Sequence, residues 1–328
     1  MRPDRKKVII NGILFTLTLI VVILLVNAIY VRYILSQRTM FKQDVEYDRF
    51  RTSLDGSDAS IIFLGDSHAE DGIRSKYIPN AFNYGTNSEN YIKNYFKLNK
   101  IVEKDRLKIR CVAVEIDPQS FSTAHYSKNA IMMYKAYYSR FMTFDQIVKV
   151  RNDSPAAVWF EIYMPFIGQG TDFWNVFLIL PKADPQPIIN PDRVRLSQIL
   201  AEKSKSAVFR YYLGQDRIGK IPADYYERLL TYARKNDLKI LLLRYPQSKE
   251  YMDLMEERNL SNGRYYAEIM NITDSTIGSD FEVVDYHDLY YSNPEYFADP
   301  DHLNDNGAVE FSKVLGTDLQ KRYPECFS

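Results

Sequence analysis

The stretch SIIFLGDSH, residues 60–68, decides how the rest of the chain is read. Residues 60–64 are a short apolar run without the alternation of a half-exposed strand, which suits a strand buried on both faces of a parallel sheet. The run breaks at Gly65 and continues as Asp66, Ser67 and His68, so a small polar nucleophile stands where a strand gives way to a helix. Ligands gather at that carboxyl edge in open α/β sheets. Amides at the start of the following helix suit an oxyanion. A Gly-Asp-Ser turn is also a common helix cap, so any chemistry at Ser67 depends on a partner elsewhere in the chain.

Working outward, the same strand-then-turn pattern recurs. Residues 81–84 end in Gly85, residues 109–116 read IRCVAVEI, and residues 239–243 and 281–285 are two further apolar runs. Helical spacing through Tyr91, Tyr95, Leu98 and Val102 covers 88–102, and a second helix is predicted over 223–235. Strands alternating with helices predict an α/β domain with about five parallel strands and right-handed crossovers. The interval 121–222 is too long for a crossover. It is rich in Tyr and Phe, has helical stretches at 130–141 and 194–203 and a loop at 181–192, and is expected to be a helical insertion that either caps the site or extends the fold.

The partner for Ser67 lies after the last strand, in FADPDHLNDNGA, residues 297–308, followed by a helical pattern through Ala308, Phe311, Leu315 and Leu319. A carboxylate three residues before a histidine can bond the inner imidazole N–H and leave the other nitrogen for a nucleophile. Asp299 and His302 have that spacing, which is what a weakly acidic serine hydroxyl needs before it attacks an ester. Asp301 is a rival for orienting His302, although one residue of separation directs it away. His68, Asn90 and His287 are candidate substrate contacts, each with an ordinary loop or cap role as the alternative.

Residues 8–31, VIINGILFTLTLIVVILLVNAIYV, carry no charge and are long enough to cross a hydrocarbon layer of about 30 Å. Arg2, Arg5, Lys6 and Lys7 precede them, while Arg32, Arg38 and Lys42 follow more thinly, which places residues 1–7 in the cytoplasm. A cleaved signal peptide is the alternative, with Val26, Asn27 and Ala28 at a cleavage-like position, but this run exceeds the roughly 7 to 15 residues of a signal core. The expected order is an anchor at 8–31, a stalk at 32–57 and an extracytoplasmic domain at 58–328.

Composition narrows the partners. The 42 Lys and Arg balance the 42 Asp and Glu, so no global field draws nucleic acid. Tyr occurs 26 times against 2 Trp, which suits both half-buried surfaces and carbohydrate-facing clefts and is also a plain compositional habit. The two cysteines, Cys111 and Cys326, exclude a disulfide framework and are expected as free thiols, Cys111 acting as a small buried hydrophobe, with one bridge between them in an oxidising compartment as the alternative. No metal-binding motif occurs, and neither a metal nor a cofactor is expected.

GDSH after the first strand, NYG after the second and DPDHLNDNG after the last resemble the SGNH/GDSL hydrolase superfamily. The likeness is to its membrane-anchored branch, which resembles the D-alanyl-lipoteichoic-acid and alginate O-acetylation proteins. It covers residues 58–117 and 238–320 and implies a flavodoxin-like three-layer α/β/α sandwich with Ser67 as nucleophile, His302 as base and Asp299 as its orienting carboxylate. It also implies an oxyanion hole from the amides of Ser67 and Gly85. The family's third block should supply an asparagine after the third strand; here stand Glu115, Ile116, Asp117 and Pro118, and Asn87 is the candidate substitute. Gly72, five residues after Ser67, is similar to the acyl-transfer branch. The resemblance implies an esterase or O-acyltransferase of the bacterial cytoplasmic membrane acting on an envelope glycan or teichoic-type polymer, with a membrane-bound O-acyltransferase as candidate partner. A non-catalytic glycan-binding or scaffold protein on the same fold is the alternative.

Overall fold

The computed structural model describes residues 5–33, 39–126, 138–168, 193–212, 218–258, 264–278 and 281–328. The 181–192 loop and most of the 130–141 helix expected from sequence lie outside those residues. The chain divides into two compact units, one of Met1–Asp44 with Tyr134–Pro187 and one of Val45–Met133 with Ile188–Ser328.

The described residues of the first unit are mainly helical. Its long helix α1 (Arg5–Tyr33) contains the whole apolar run, with Val8, Leu14, Leu19 and Leu25 among many exposed side chains. The second helix α2 (Thr39–Ser53) crosses the boundary between the units. Residues 32–57 had been expected as a stalk, yet Tyr47 on α2 is fully buried, stacked on Tyr84 at 4.8 Å and edge-on to Phe82 at 5.5 Å. The latter part of α2 is therefore integral to the sheet-bearing unit.

That second unit is built on five parallel strands. They are β1 (Ala59–Leu64), β2 (Ala81–Asn83), β3 (Ile109–Glu115), β4 (Lys239–Arg244) and β5 (Glu282–Asp285), in the order β2-β1-β3-β4-β5. The predicted strands are all present, each boundary within a residue or so of its expected place. Ile61, Phe63, Cys111, Ala113, Leu241 and Leu243 share one core with Ala308, Phe311, Leu315 and Leu319 of the last helix. The alternating residues Ile62, Leu64, Val112, Val114 and Leu242 are equally buried and face the other side of the sheet. Burial on both faces is why these strands read as continuous apolar runs.

Helix α3 (Ser67–Gly72) follows β1 and α4 (Tyr91–Asn99) follows β2. The 121–222 interval is shared between the units. Helices α5 (Phe144–Arg151), α6 (Pro155–Tyr163) and α7 (Pro165–Gly168) belong to the first unit, and α8 (Arg193–Tyr212) to the second. Helix α9 (Lys220–Lys235) packs on α4, with the Tyr91 and Tyr226 rings 5.1 Å apart. Helices α10 (Lys249–Glu257) and α11 (Arg264–Ile277) join β4 to β5. A two-stranded hairpin, β6 (Phe297–Asp299) and β7 (His302–Leu303), then leads into α12 (Asp305–Arg322), which packs on α3.

Cys111 on β3 and Cys326 near the C-terminus form a disulfide with their Cα atoms 5.6 Å apart, which corrects the expectation of two free thiols. Sequence spacing carries no information on such an approach, whereas β3 and the turn after α12 bring both side chains into the same core.

Candidate active site

The strand order reverses direction between β1 and β3, so the loops leaving these two strands diverge and open a crevice at the sheet's carboxyl edge. Ser67 is the first residue of α3, just past β1. Asp66 caps the helix, its Oδ1 accepting from His68 N at 2.9 Å, and Ser67 N–H is among the helix-initiating amides without a carbonyl partner inside the helix.

His302 is presented by the β6–β7 hairpin, just ahead of α12. Asp299 and His302 are cross-strand partners around the Pro300–Asp301 turn. The structure brings the three expected groups together. Ser67 Oγ lies 2.7 Å from His302 Nε2, and His302 Nδ1 lies 2.8 Å from Asp299 Oδ1. Asp299 Oδ1 also accepts from the amides of Asp301 (3.2 Å) and His302 (3.0 Å), which fixes the carboxylate as well as the ring. In the neutral imidazole, Nδ1–H donates to Asp299 and Nε2 accepts from the serine hydroxyl, the arrangement a general base requires. Asn304 holds the hairpin against the helix: its Oδ1 accepts from Gly307 N at 3.0 Å and its Nδ2 donates to Glu295 O at 2.7 Å.

Beneath the pair lies a buried ionic network that sequence reasoning left without a role. His68, expected as a substrate contact, is 3% exposed and faces inward. Its Nδ1 is 3.1 Å from Asp117 Oδ2 and 3.5 Å from Glu115 Oε1, and its Nε2 is 3.7 Å from Asp301 Oδ2. The Gln119 amide approaches the same ring at 2.7 Å. Asp301 in turn lies 3.5 Å from His302 Nδ1, so one carboxylate faces both imidazoles, whose ring centroids are 5.0 Å apart. Glu115 and Asp117 stand at and just past the end of β3. The signal was the Glu-Ile-Asp-Pro sequence at a strand end, unusual for an apolar strand, but its partner could not be read from spacing.

Charge is divided unequally across this network. Burial opposes a charged His68, yet the hydrogen bond to Asp117 and the nearby Asp301 carboxylate outweigh it and hold its pKa well above the ordinary value. Burial, reinforced by Asp66, pushes Glu115 well up, which favours its neutral form; Ser120 Oγ donates to Oε1 at 2.9 Å and the Asp66 amide to Oε2 at 2.9 Å. Burial would raise Asp301, but the two imidazoles beside it, His302 and His68, hold it below the usual carboxylate range. For His302, burial again opposes the charged ring while Asp299 and then Asp301 push it up to about 10. Asp66, His68 and Glu115 could together offer three donor atoms to a cation, and so could His68, Asp301 and His302. Among these groups, His68 Nδ1 already faces Asp117, His302 Nδ1 faces Asp299, and the Glu115 carboxylate accepts from Ser120 and the Asp66 amide.

The expected oxyanion donors fare differently. Gly85 N–H donates to Asn83 Oδ1 at 3.0 Å, so this amide is already engaged, and the Asn87 backbone N–H donates to Glu70 Oε2. The Asn87 side chain is exposed and accepts from Ser88 Oγ at 2.9 Å. Asn90 is not a substrate contact either. It is 3% exposed and caps α4, accepting from Lys93 N at 3.2 Å. His287 pairs with Asp285 at 2.8 Å, and Asp285 also accepts from Arg244 at 2.6 Å, so its visible role is to complete an ionic group at the end of β5.

A cleft of about 290 Å³ opens beside the hairpin, lined by Asp299, Pro300, Asp301 and His302 and, from α8, by Lys203, Ser206 and Ala207. A helix of the 121–222 interval therefore forms one wall of the space next to His302. No family model matches this chain, and no curated protein matches it.

Proposed function

We propose that the chain is a serine esterase or O-acyltransferase that works through an acyl-Ser67 intermediate. The observation that carries this reading is the continuous contact from Ser67 Oγ to His302 Nε2 and from His302 Nδ1 to Asp299. Neutral His302 would take the serine proton as Oγ attacks the acyl carbonyl. The ester C–O bond then breaks, and the alcohol leaves with the proton that His302 returns. In the second half His302 takes a proton from water or from a sugar hydroxyl, whose oxygen attacks the acyl carbon and releases Ser67. The Ser67 amide at the start of α3 is the donor best placed for the oxyanion.

The finer expectations join this proposal. The sheet order is that of flavodoxin-like folds, which supports an SGNH-type architecture. The apolar helix α1 supports a membrane-anchored chain, and the basic residues before it suit a main domain outside the bacterial cytoplasmic membrane. A disulfide between Cys111 and Cys326 supports an oxidising compartment. An envelope glycan or teichoic-type polymer is then the acceptor within reach, with a membrane-bound O-acyltransferase as donor-side partner.

A second reading is favoured by the Gly85 amide, which is already engaged with Asn83: a catalytically weak SGNH-fold protein that binds glycan for such a partner. Fluorophosphonate labelling separates the two. The active-enzyme reading expects covalent labelling of the full chain that Ser67→Ala abolishes and His302→Ala strongly slows. Equal labelling of wild type and Ser67→Ala removes Ser67 as the nucleophile, and absence of labelling favours the binding protein.

A further inference from the structure

Helix α6 is apolar on the side it exposes. Its one charged residue, Glu161, is buried and bonded to the Arg151 guanidinium of α5, and Val158 beside it is fully buried. The opposite side carries Trp159, Phe160 and Tyr163, exposed by 47, 48 and 55%. These rings form one cluster, with Trp159 5.3 Å from both Phe160 and Tyr163 between centroids. Tyr163 is four residues from Trp159 and three from Phe160, the spacings that make helix side chains neighbours, so the cluster is a continuous, charge-free aromatic face. Covering each such side chain stabilises by about 1.5–3 kcal/mol, a strong pull toward an apolar or interfacial environment.

Helix α1 indicates which environment that is. The Asn27 side chain clasps the junction of α6 and α7 with both ends of its amide, Nδ2 donating to Tyr163 O at 3.1 Å and Oδ1 accepting from Phe166 N at 3.2 Å. Tyr30 is buried, its ring 5.9 Å from that of Phe166. The covered positions along this part of α1 are Ile23, Val26, Asn27 and Tyr30, the spacing of a single helix face, while Leu24, Leu25 and Ile29 stay exposed. At about 1.5 Å per residue, the apolar run reaches Asn27 about 28 Å from Val8 and Ile23 about 22 Å from it. The hydrocarbon layer is about 30 Å thick. A segment clasped by Asn27 thus sits at the outer edge of the hydrocarbon, where Trp and Tyr rings are favoured. It also satisfies both polar groups of an asparagine that would otherwise face lipid.

We infer that α6 and α7 form an interfacial element that lies in the outer leaflet of the bilayer, with Trp159, Phe160 and Tyr163 seated between lipid headgroups and upper acyl chains. The inference rests on the reading of α1 as a span, and it adds a second, laterally placed lipid contact to that span. This face recognises a lipid surface through amphipathic rings, without any charged contact.

The test uses the full chain in nanodiscs of phosphatidylcholine and phosphatidylglycerol. The sequence has two tryptophans, Trp159 and Trp174, so Trp174→Phe leaves Trp159 as the only emitter. A lipid spin-labelled just below the headgroup should quench Trp159 at least about twofold more strongly than one labelled at the chain end, as interfacial depth requires, and aqueous iodide should quench it weakly. Iodide quenching as strong as that of free tryptophan, with no lipid quenching, overturns the inference. Leu19→Trp on a background of Trp159→Phe and Trp174→Phe reports α1 separately. Strong quenching there by the chain-end label, with Trp159 open to iodide, sinks the interfacial element alone; no quenching at position 19 sinks the span and the inference with it. Should Trp174→Phe fail to fold, Phe160→Cys carrying an environment-sensitive dye in the otherwise native chain is read with the same quenchers.

Discussion

His302 stands between two carboxylates that act on it differently. Asp299 bonds Nδ1 directly, whereas Asp301 is a little farther away and is shared with His68. Both stabilise the imidazolium, and only the neutral ring can accept the Ser67 proton, so ester turnover should rise with pH as His302 deprotonates. The ascending limb of kcat/KM is expected well above the ordinary histidine value of about 6.5, toward the raised value of about 10. Asp299→Asn should move that limb toward neutrality while lowering the plateau, because the ring loses its orienting acceptor; a limb that stays in place contradicts this assignment. His68 carries a different expectation. Its raised pKa makes its contribution to stability complete below about pH 6.5, and that contribution is lost as pH rises through the folded-state value. His68→Gln leaves Asp117 and Asp301 facing each other without a buried cation, which should destabilise the fold by about 3–5 kcal/mol in urea titrations near neutral pH.

The elements around the site are held by close approach and by buried charge. Gly85 follows β2 where an added Cβ would meet the Ala69 methyl on α3, so the two loops touch through backbone. Gly85→Ala should cost about 1–3 kcal/mol as overpacking and also slow fluorophosphonate labelling, because relief of the clash displaces α3 and with it Ser67. Unchanged labelling kinetics would separate this loop from the nucleophile's position. Under the same loop, Lys97 on α4 is fully buried. It pairs with Glu89 at 2.6 Å and donates to Tyr84 O at 2.6 Å, while Lys93 donates to Ser88 O at 3.1 Å. Burial lowers Lys93 to about 8 despite Glu89. The amphipathic stripe Tyr91, Tyr95, Leu98 and Val102 predicted this helix but not its sides. Tyr95 and Val102 remain partly exposed, whereas both lysines are inside. A residue-type pattern assigns lysine to water, and only the loop that folds over it supplies the carbonyls and carboxylate that reverse this.

At the scale of the whole molecule, the Cys111–Cys326 bridge closes the chain across a sequence separation of 215 residues, tying the C-terminal turn to the central strand β3. Cys326→Ser should lower stability by about 2–5 kcal/mol, read as an earlier urea midpoint, and reduction of the native chain should reproduce the loss while leaving the variant unaffected. The apolar run of α1, the five strands and the positions of Ser67, Asp299 and His302 were legible in the sequence because each depends on local periodicity or on a short spacing within one turn. Those features are set by hydrophobic patterning and backbone chemistry, which neighbouring residues carry by themselves. What only the tertiary structure decided is how distant segments meet. It places Asp117 and Asp301 on either side of His68, pairs the two cysteines, turns the Gly85 amide toward Asn83, and divides the 121–222 interval between two units. Each of these outcomes joins residues far apart in the chain or reverses a side chain's usual preference for water. The physical reason is that a buried polar group takes whichever partner the packed elements bring within hydrogen-bond reach, and that partner is a property of the fold rather than of the local sequence.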